Sequence, residues 1–264
     1  MSQDYREYQR RAEDMAKEAG ALLLDAHGRV TAREKGPADL VTDADFASQE
    51  LIGRRIAESF PGHTLLAEED GARTDYTSPW RWVVDPLDGT MNFAHGFPFW
   101  VVSIALEHEG TLVVGVVHNP LTGQTYSASL GQGATLDGRP IVVSSVRRLE
   151  HSLITTALPI DFAADADRQT AYMKRFSTRT HSLRRTGSSA LNLALIAAGG
   201  CEVCYASVMG PWDAAAGVVL VREAGGRVTR FNGGPHDLYA EEILATNGHV
   251  HDEAIEALAE AWPG

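Results

Sequence analysis

Long hydrophobic runs are absent from this 264-residue sequence. A helix needs roughly 20 consecutive apolar residues to cross a bilayer, and no segment approaches that length. The N-terminus is polar and charged, unlike the apolar core of a secretory signal peptide. The sequence therefore predicts a cytoplasmic protein with no membrane partner.

Cysteine is also scarce, because the chain has only Cys201 and Cys204. A Cys-x-x-Cys pair occurs in redox centres and in half-sites for zinc. Here the pair lies where a strand is predicted to begin, and positions i and i+3 of a strand face opposite sides. No second Cys or His pair has zinc-ligand spacing. We therefore interpret both residues as structural thiols.

Basic residues are few, with 23 Lys and Arg against 35 Asp and Glu and a formal net charge of −12. Nucleic acids and anionic membranes need clustered Lys and Arg, so neither is expected as the main partner. An enzyme with this charge needs local positive charge to act on an anionic substrate, and bound cations would supply it. The composition is otherwise that of a globular protein, long enough for one large domain or two tightly packed subdomains.

Two helices and a strand are predicted near the start of the chain. Helical spacing of apolar residues indicates a helix over residues 3–27, followed by a short strand near Val30. Asp43 is predicted to cap a second helix, which Pro61-Gly62 ends. The predicted apolar side of that helix carries Phe46, Ile52, Ile56 and Phe60.

Short β segments separated by turn signals follow, a pattern typical of an antiparallel sheet. These predicted strands cover residues 64–67, 81–84, 101–107, 112–117, 124–128 and 140–143. After about residue 146 strands alternate with helices, which favours a layered α/β unit. The predicted segments there are 153–157, 172–176, 182–184, 188–198, 203–206, 212–224, 227–229, 243–245 and a last helix to residue 261. We therefore predict an α+β subdomain over 1–146 with most of the acidic candidates and an α/β subdomain over 147–264, in one compact unit.

The run Asp85-Pro86-Leu87-Asp88-Gly89-Thr90 follows an apolar strand and combines two carboxylates with a Gly-Thr turn. Carboxylate oxygens are the ligands that Mg²⁺ prefers, and bound Mg²⁺ keeps positions for phosphate oxygens. Pro86 stiffens the backbone, and Gly89 allows a ligand to approach closely. The alternative is an Asp-rich turn in which Asp88 only caps a helix.

Acids also occur at three other places where the chain direction is expected to change. They are Asp39 to Asp45, Glu68 to Asp70, and Asp213 after Pro211-Trp212. Each group has a structural interpretation, since Asp43 and Asp45 suit a helix cap, Glu68 and Glu69 suit a solvated strand end, and Asp213 suits a helix's first turn. Their joint occurrence with a Gly-Thr turn instead favours a metal and phosphate site.

On these residues the sequence resembles the inositol monophosphatase family, the Mg²⁺-dependent, lithium-sensitive phosphomonoesterases. The family pattern is an Asp, then Glu-Glu, then Asp-Pro-Ile/Leu-Asp-Gly/Ser-Thr, then Trp-Asp followed by eleven residues and Gly-Gly. The matching residues here are Asp45, Glu68-Glu69, Asp85-Pro86-Leu87-Asp88-Gly89-Thr90, Trp212-Asp213 and Gly225-Gly226. Flanking stretches match as well, including Asp39-Leu40-Val41-Thr42, Asn92-Phe93, Phe97-Pro98-Phe99 and Gly233-Gly234-Pro235.

The resemblance implies a fold, a reaction and a cofactor. The fold is the layered αβαβα sandwich of inositol monophosphatase and fructose-1,6-bisphosphatase, and the cofactor is Mg²⁺, two or three ions per site. One ion would be held by Glu68, Asp85 and the carbonyl of Leu87. A second would be held by Asp85, Asp88 and Asp213, with Asp85 bridging, and relatives show a weaker third ion near Glu68.

The resemblance also implies roles in catalysis. Asp45 and Thr90, together with Glu68, would orient and help deprotonate a water that a metal has made more acidic. Backbone N–H groups of Gly89 and Thr90 would receive the phosphate. Hydrolysis would proceed by direct attack of water, without a phospho-enzyme.

Contacts to the alcohol are the least defined part of the resemblance. Inositol-preferring members often carry a Glu seven residues before the Trp-Asp aspartate, where this chain has Ala206. Without that acceptor the site is expected to discriminate less between polyols. The candidate substrate contacts are Asp88, Gly89, Thr90, Ser188, Ser189, Ala206 and Asp213.

Other segments near the predicted site have more than one interpretation. Arg184, Arg185, Ser188 and Ser189 are either substrate contacts or a solvated basic turn with a helix cap. The polar segment 159–168 is a lid or a subunit contact. Met91 replaces a small or hydroxyl residue of relatives, and His95 is interpreted as a surface or supporting residue.

The leading hypothesis is a phosphatase of a small phosphorylated polyol, with inositol monophosphate as the first substrate to test. Fructose 1,6-bisphosphate, histidinol phosphate and 3′-phosphoadenosine 5′-phosphate are the alternatives within the same fold. The competing class is a non-catalytic regulatory protein of this fold, although all the motif acids are present. Relatives are typically homodimers, so a homodimer is the expected assembly.

Overall fold

The computed structural model describes residues 4–29, 32–36, 39–70 and 78–262. The α-helices in these ranges are α1 (Arg6–Ala26), α2 (Asp43–Ser59), α3 (Thr90–His95), α4 (Ala166–Arg179), α5 (Ser189–Ala197), α6 (Pro211–Glu223) and α7 (His251–Ala261). The strands are β1 (Ala32–Gly36), β2 (Asp39–Thr42), β3 (Thr64–Ala67), β4 (Trp80–Asp88), β5 (Val101–His108), β6 (Thr111–Asn119), β7 (Gln124–Ser129), β8 (Ala134–Leu136), β9 (Arg139–Ile141), β10 (Leu153–Thr156), β11 (Ser182–Arg185), β12 (Val203–Ala206), β13 (Arg227–Thr229) and β14 (Ile243–Thr246). None of the helices in these ranges is long and apolar enough to cross a membrane.

The strands form two large sheets and one small one. The larger sheet has seven strands in chain order from β3 to β9, with β3 parallel to β4 and every later pair antiparallel. The second sheet has the order β11-β10-β12-β14-β13, in which β10 is parallel to β11 and β12 and the remaining pairs are antiparallel. The antiparallel hairpin of β1 and β2 stands apart from both.

Alternating apolar side chains place helices on both faces of each large sheet. Trp82 and Val84 of β4 belong to an apolar cluster with α1 and α2, whereas Val83 belongs to a second cluster with α5 and α6. In β12, Cys204 joins that second cluster, while Tyr205 faces α4 and α7. Because strand side chains alternate between faces, the order of layers is α1/α2, seven-stranded sheet, α5/α6, five-stranded sheet, α4/α7. The predicted αβαβα sandwich is confirmed.

Close packing fixes α6 against the larger sheet. A Cβ atom on Gly115 of β6 would overlap the carbonyl oxygen of Ala216, so only glycine lets the helix and strand approach this closely. Pro211 is the first residue of α6, a position where a missing N–H carries no cost. The middle of α6 is thereby held against β6, the central strand of the seven-stranded sheet.

Helix α2 differs from its prediction at its N-terminal end. Its N-cap is Thr42, whose hydroxyl accepts the N–H of Ala44 at 3.2 Å, and Asp43 is the first helical residue. Phe46, predicted on the buried side, is 46% exposed. The reason is that Asp45 and Ser48 occupy the buried face of this turn, where both are hydrogen-bonded.

The remaining differences are local. The strand predicted near Val30 lies outside the described residues. Strand β8 has no counterpart in the sequence prediction, because its three residues follow a Gly-rich turn and carry little apolar signal. Strand β4 runs past residue 84 to Asp88, so the two acids of the central motif lie within the sheet.

Candidate active site

A β-bulge in β4 brings Asp85 and Asp88 to one face of the sheet. Asp85 pairs with Ser103 of β5 and Asp88 pairs with Val101, so three steps along β4 match two steps along β5. In a regular strand, residues three apart face opposite sides, and one extra residue restores the same face. Pro86 lies within the bulge, where its missing N–H does not cost the sheet a hydrogen bond. The N–H of Leu87 instead donates to Asp85 Oδ1 at 3.0 Å.

Asp213 of α6 completes a cluster of three carboxylates. One oxygen from each of Asp85, Asp88 and Asp213 lies within 4.8 Å of the others. Asp213 is the third residue of α6, and its Oδ2 accepts the N–H of Gly210 at 2.9 Å. Asp85 and Asp88 are only 1% and 5% exposed. The sheet and a helix from 125 residues later in the chain thus build one compact acidic centre.

Burial raises the pKa of each carboxyl in this cluster, and repulsion from neighbouring acids adds to the rise at Asp85 and Asp213. Burial raises the pKa of Asp85 well above its usual range, and the charges of Glu68, Asp88 and Asp213 add to this. Burial raises the pKa of Asp88 to about 6, and burial with the charge of Asp88 raises that of Asp213 to about 7. In the described ranges no Lys or Arg forms an ion pair with these three acids. Such a donor set fits a hard divalent cation, which would offset the repulsion.

Glu68 lies beside this cluster. It begins a 3₁₀ turn over Glu68–Asp70 directly after β3. Ala67 of β3 and Val84 of β4 form the last pair of the two parallel strands. Glu68 and Asp85 follow this pair and therefore lie side by side. The charge of Glu68 raises the pKa of Asp85, although Glu68 is not one of the three acids whose oxygens meet within 4.8 Å.

Asp45 and Thr90 form a hydrogen-bonded pair next to the cluster. The Thr90 hydroxyl lies 2.9 Å from Asp45 Oδ1 and 3.1 Å from the carbonyl oxygen of Leu87. Asp45 Oδ2 accepts both the N–H and the hydroxyl of Thr42, at 2.8 and 2.5 Å. Asp45 is fully buried, and burial raises its pKa. The carboxylate is therefore fixed on one side and directed at a threonine hydroxyl on the other.

Gly89 turns the chain from β4 into α3. Its φ of 99° is in the left-handed region that favours glycine. A Cβ atom there would lie 3.0 Å from the carbonyl oxygen of Phe99 and 3.2 Å from that of Gly187. Asn92 of α3 donates to the carbonyls of Phe99 and Thr186, at 2.6 and 2.9 Å, and so ties the same two segments to the turn.

Ser188 and Ser189, predicted to contact substrate, contact Asp88. The Ser188 hydroxyl donates to Asp88 Oδ2 at 2.5 Å, and the N–H groups of Ser189 and Ala190 donate to Oδ1 and Oδ2 at 3.1 and 2.7 Å. Asp88 therefore takes the place of a side-chain cap at the start of α5. The structure brings together the strand-end acid and the helix start that the sequence separates by 100 residues.

The sequence model of the inositol monophosphatase family matches residues 4–262 of this chain. The chain belongs to the inositol monophosphatase family. Among relatives, an inositol-1-monophosphatase of Synechocystis sp. is 41% identical over 243 residues, which cover 91% of this chain and 85% of that protein. A Thermotoga maritima protein named fructose-1,6-bisphosphatase/inositol-1-monophosphatase is 35% identical, with 93% of each chain covered.

Solved structures agree with this assignment. An inositol monophosphatase from Anabaena (Nostoc) sp. superimposes with a TM-score of 0.89 at 36% sequence identity, covering 98% of this chain and 97% of that one. This inositol monophosphatase family member is thus a phosphomonoester hydrolase with the fold of its relatives, and its acidic cluster suits a metal-dependent reaction.

Ala206, the family position that often carries a Glu, is fully buried at the end of β12. Its methyl group packs in the apolar cluster that α5 and α6 share with both sheets. The side chain therefore offers neither a hydrogen-bond acceptor nor an exposed surface to an alcohol. Arg184 and Arg185 are exposed at the carboxyl end of β11, and Met91 is 38% exposed on α3.

Segment 159–168 leads into α4 through a 3₁₀ turn over Phe162–Asp165. Asp165 accepts hydrogen bonds from Arg168 at 2.6 Å and Gln169 at 2.8 Å. The Gln169 amide also donates to Ser207 at 2.6 Å, directly after Ala206. The segment is therefore anchored at its C-terminal end to the residue that follows β12, the central strand of the second sheet.

Both cysteines are buried free thiols. Burial raises the pKa of Cys204 to about 12 and raises that of Cys201 further. Thiols with such pKa values are unreactive and poor metal ligands. Their interpretation as structural residues agrees with this environment.

Sequence reasoning missed Ser48, whose hydroxyl donates to the carbonyl of Pro86 at 2.9 Å and supports the bulge. A single buried serine on a helix gives no recognisable signal. Thr42 and Asn92 were predicted only as members of the stretches that flank the family motif, with no role of their own. Their residue types are nevertheless those that cap helices and bridge backbone carbonyls.

Proposed function

We propose that this protein hydrolyses small phosphomonoesters with Mg²⁺, that it accepts more than one alcohol, and that inositol monophosphate is a substrate. The observation that carries the proposal is the cluster of Asp85, Asp88 and Asp213, with oxygens within 4.8 Å of one another and without an ion-paired Lys or Arg in the described ranges. The neighbouring Asp45–Thr90 pair supplies a fixed proton acceptor beside it.

The residues that would hold Mg²⁺ are Asp85, Asp88 and Asp213, together with Glu68 and the carbonyl oxygen of Leu87. Bound Mg²⁺, two or three ions per site, would lower the pKa of a water and neutralise charge on the phosphate. Asp85 lies near Glu68, Asp88 and Asp213, since the charges of all three raise its pKa. This position suits a bridging ligand.

Asp45 and Thr90 would direct the attacking water. With Asp45 ionised, the Thr90 hydroxyl donates to Asp45 Oδ1, which leaves the threonine oxygen free to accept a hydrogen bond from water. A proton lost by the water reaches Thr90 as the threonine proton moves to Asp45. The water oxygen bonds to phosphorus and the bond from phosphorus to the alcohol oxygen breaks. The leaving oxygen takes a proton from solvent water, and Asp45 returns its proton to solvent afterwards.

The backbone at Gly89 and Thr90 would hold the phosphate. N–H groups in the first turn of α3 have no partner within the helix, and the left-handed Gly89 places them at the end of β4 beside the acidic cluster. Ser188 and Ser189 donate to Asp88 beside this turn and stay candidate substrate contacts.

Two observations support a broad choice of alcohol. The buried methyl group of Ala206 gives no acceptor for a ring hydroxyl, and strong discrimination depends on such buried polar contacts. One relative is named for both fructose-1,6-bisphosphatase and inositol-1-monophosphatase activity. Fructose 1,6-bisphosphate, histidinol phosphate and 3′-phosphoadenosine 5′-phosphate are therefore the next substrates to compare.

Phosphate release from this panel, measured with Mg²⁺ and with EDTA, tests the proposal. We expect turnover of inositol monophosphate that requires Mg²⁺ and is lost in Asp88→Asn, with Asp252→Asn on the exposed start of α7 as the matched control. If another ester is hydrolysed and inositol monophosphate is not, only the substrate assignment fails. A protein that hydrolyses none of them but retains its fold would instead be the non-catalytic regulatory alternative.

Three further properties are proposed from the family resemblance. The protein forms a homodimer, Li⁺ inhibits the Mg²⁺-dependent reaction, and residues 1–146 and 147–264 act as subdomains of one catalytic unit. Light scattering after size exclusion measures the first, and phosphate release in LiCl against KCl measures the second.

A further inference from the structure

Helix α5 begins without a cap of its own. Its N-cap residue, Ser188, has an extended backbone conformation, but the Ser188 hydroxyl makes no hydrogen bond to its own helix. Asp88 fills this role from 100 residues earlier and accepts from the first two N–H groups, those of Ser189 and Ala190. One carboxylate therefore serves both the acidic cluster and the start of a helix.

The hydrogen bonds to Asp88 are divided unequally between its two carboxylate oxygens. Oδ2 accepts two short hydrogen bonds, from the Ser188 hydroxyl at 2.5 Å and from Ala190 at 2.7 Å, whereas Oδ1 accepts the longer bond from Ser189 at 3.1 Å. Each carboxylate oxygen has about two positions for acceptance. Oδ2 is consequently filled, and Oδ1 retains the capacity to bind a cation.

Among these hydrogen bonds to Asp88, the one from Ser188 has a side-chain donor and can be removed by substitution. Ser188 is 1% exposed, and its bond to Asp88 opposes rotation of the carboxylate about its terminal torsion. The bonds from Ser189 and Ala190 come from the backbone and persist whatever their side chains are. In the described part of the chain the Ser189 hydroxyl makes no hydrogen bond, which makes Ser189 a natural comparison.

We propose that Ser188 is a positioning residue that holds Asp88 in the orientation for binding a divalent cation. The inference rests on the proposed function, since it assigns Asp88 to the Mg²⁺ site. Partners that orient a metal ligand typically change metal affinity 10–100-fold when they are removed. Ser188 thus contributes to the metal site although it is not itself a ligand.

Mg²⁺ binding to the substrate-free protein, measured by titration calorimetry, tests this. We expect Ser188→Ala to raise the Kd for Mg²⁺ about 10–100-fold. Ser189→Ala keeps its backbone donor and should bind Mg²⁺ as the wild type does. In phosphate-release assays, Ser188→Ala should raise the Mg²⁺ concentration for half-maximal rate more than it lowers kcat at saturating Mg²⁺.

A pair of β-branched variants separates the hydroxyl from the volume of the side chain. Ser188→Thr and Ser188→Val are nearly isosteric, and both suit the extended backbone at this position. Ser188→Thr should bind Mg²⁺ within about threefold of the wild type, and Ser188→Val should behave as Ser188→Ala does. This comparison decides the question if Ser188→Ala fails to fold. Equal affinity of the two β-branched variants would overturn the proposal.

A double-mutant cycle excludes a purely structural effect of Ser188. If Ser188 acts through Asp88, adding Ser188→Ala to Asp88→Asn should change the residual Mg²⁺ affinity little, because coupled residues are not additive. Full additivity would refute the positioning role. A wild-type protein that binds no Mg²⁺ would refute the proposed function itself, whereas normal binding by both wild type and Ser188→Ala would refute only the inference about Ser188.

Discussion

The hydroxyl of Thr90 lies 2.9 Å from Asp45 Oδ1, while its second neighbour is the carbonyl oxygen of Leu87 at 3.1 Å. A hydroxyl has one hydrogen and can donate to only one of these acceptors at a time. When Asp45 is ionised the proton points to Asp45. When Asp45 is protonated, the carboxyl donates to Thr90, and the threonine proton turns to Leu87.

This pair predicts that the Thr90 hydroxyl is needed for turnover. Thr90→Val keeps the shape of the side chain but cannot pass a proton, and we expect kcat to fall about 10²–10⁴-fold. Thr90→Ser retains the hydroxyl and should keep most of the activity. Mg²⁺ affinity from titration calorimetry should change little in both variants, and wild-type kcat in Thr90→Val would falsify the role.

The Gly89 turn makes a prediction about stability and activity together. Gly89→Ala places a side chain at a φ of 99° and presses Cβ against the carbonyl oxygens of Phe99 and Gly187. The strained conformation alone costs about 1–3 kcal/mol. Gly62 has a φ of 96°, and an added Cβ atom there would meet nothing within 4 Å, so Gly62→Ala reports the conformational cost without the contact.

Urea unfolding should show a larger loss of stability for Gly89→Ala than for Gly62→Ala. Phosphate release by Gly89→Ala should also be lost at temperatures where the variant is folded, because the phosphate-binding turn moves. Equal losses of stability in the two variants would mean that the carbonyl groups of Phe99 and Gly187 move enough to accommodate the new methyl group.

The linear motif from Asp85 to Thr90 allowed the acidic centre to be predicted, because residue types and order alone specify it. The bulge that puts Asp85 and Asp88 on one face depends on the pairing with Ser103 and Val101. Pairing register is a property of two strands and is not visible in either one. The sequence could therefore identify the acids without explaining how they meet.

Contacts between distant segments account for what the sequence did not reveal. Ser188 suited a helix cap or a substrate contact, and its hydroxyl donates to Asp88 instead of capping α5. Phe46 followed the apolar period of α2, but Asp45 and Ser48 occupy the buried face since they bind Thr90 and Pro86. In both places a polar contact across the fold overrides the local pattern.

The acidic cluster predicts how Mg²⁺ stabilisation depends on pH. The folded pKa values of Asp88 and Asp213, about 6 and about 7, lie above the ordinary value of 3.8. In the metal-free protein their contribution to stability is therefore fully present below about pH 3.8 and is lost as the pH rises to about 7. Mg²⁺ binds the ionised acids and should offset this loss.

Thermal unfolding with Mg²⁺ and with EDTA at pH 5.5 and pH 8 measures the effect. We expect the Mg²⁺-dependent rise in Tm to be larger at pH 8, by about 5 °C or more. In EDTA at pH 8, Asp213→Asn should unfold at a higher temperature than the wild type, because it removes a repelling charge. The exposed Asp252→Asn variant should show neither change, and a Tm rise independent of pH would contradict the assignment.

A buried histidine predicts a separate loss of stability in acid. The His251 ring is fully buried, with Nε2 at 2.8 Å from the Thr229 hydroxyl and Nδ1 at 2.8 Å from the Thr246 hydroxyl. Burial lowers its pKa from 6.5 to about 4. The unfolded chain therefore takes up the proton first, and the stability that neutral His251 provides is present above pH 6.5 and falls as the pH drops towards 4. Linkage gives a loss of about 2 kcal/mol between pH 7.5 and pH 5.

Urea unfolding in EDTA at these two pH values, compared with His251→Gln, isolates this contribution from that of the acids. The variant should be less stable than the wild type at pH 7.5, because it loses ring packing and hydrogen bonds. The difference should shrink by about 2 kcal/mol at pH 5, since only the wild type has a proton to exclude. Thr229→Val removes one partner of the ring but keeps the titrating group, so its difference from the wild type should change much less with pH. A His251→Gln difference that is the same at both pH values would show that the buried ring accepts a proton without loss of stability.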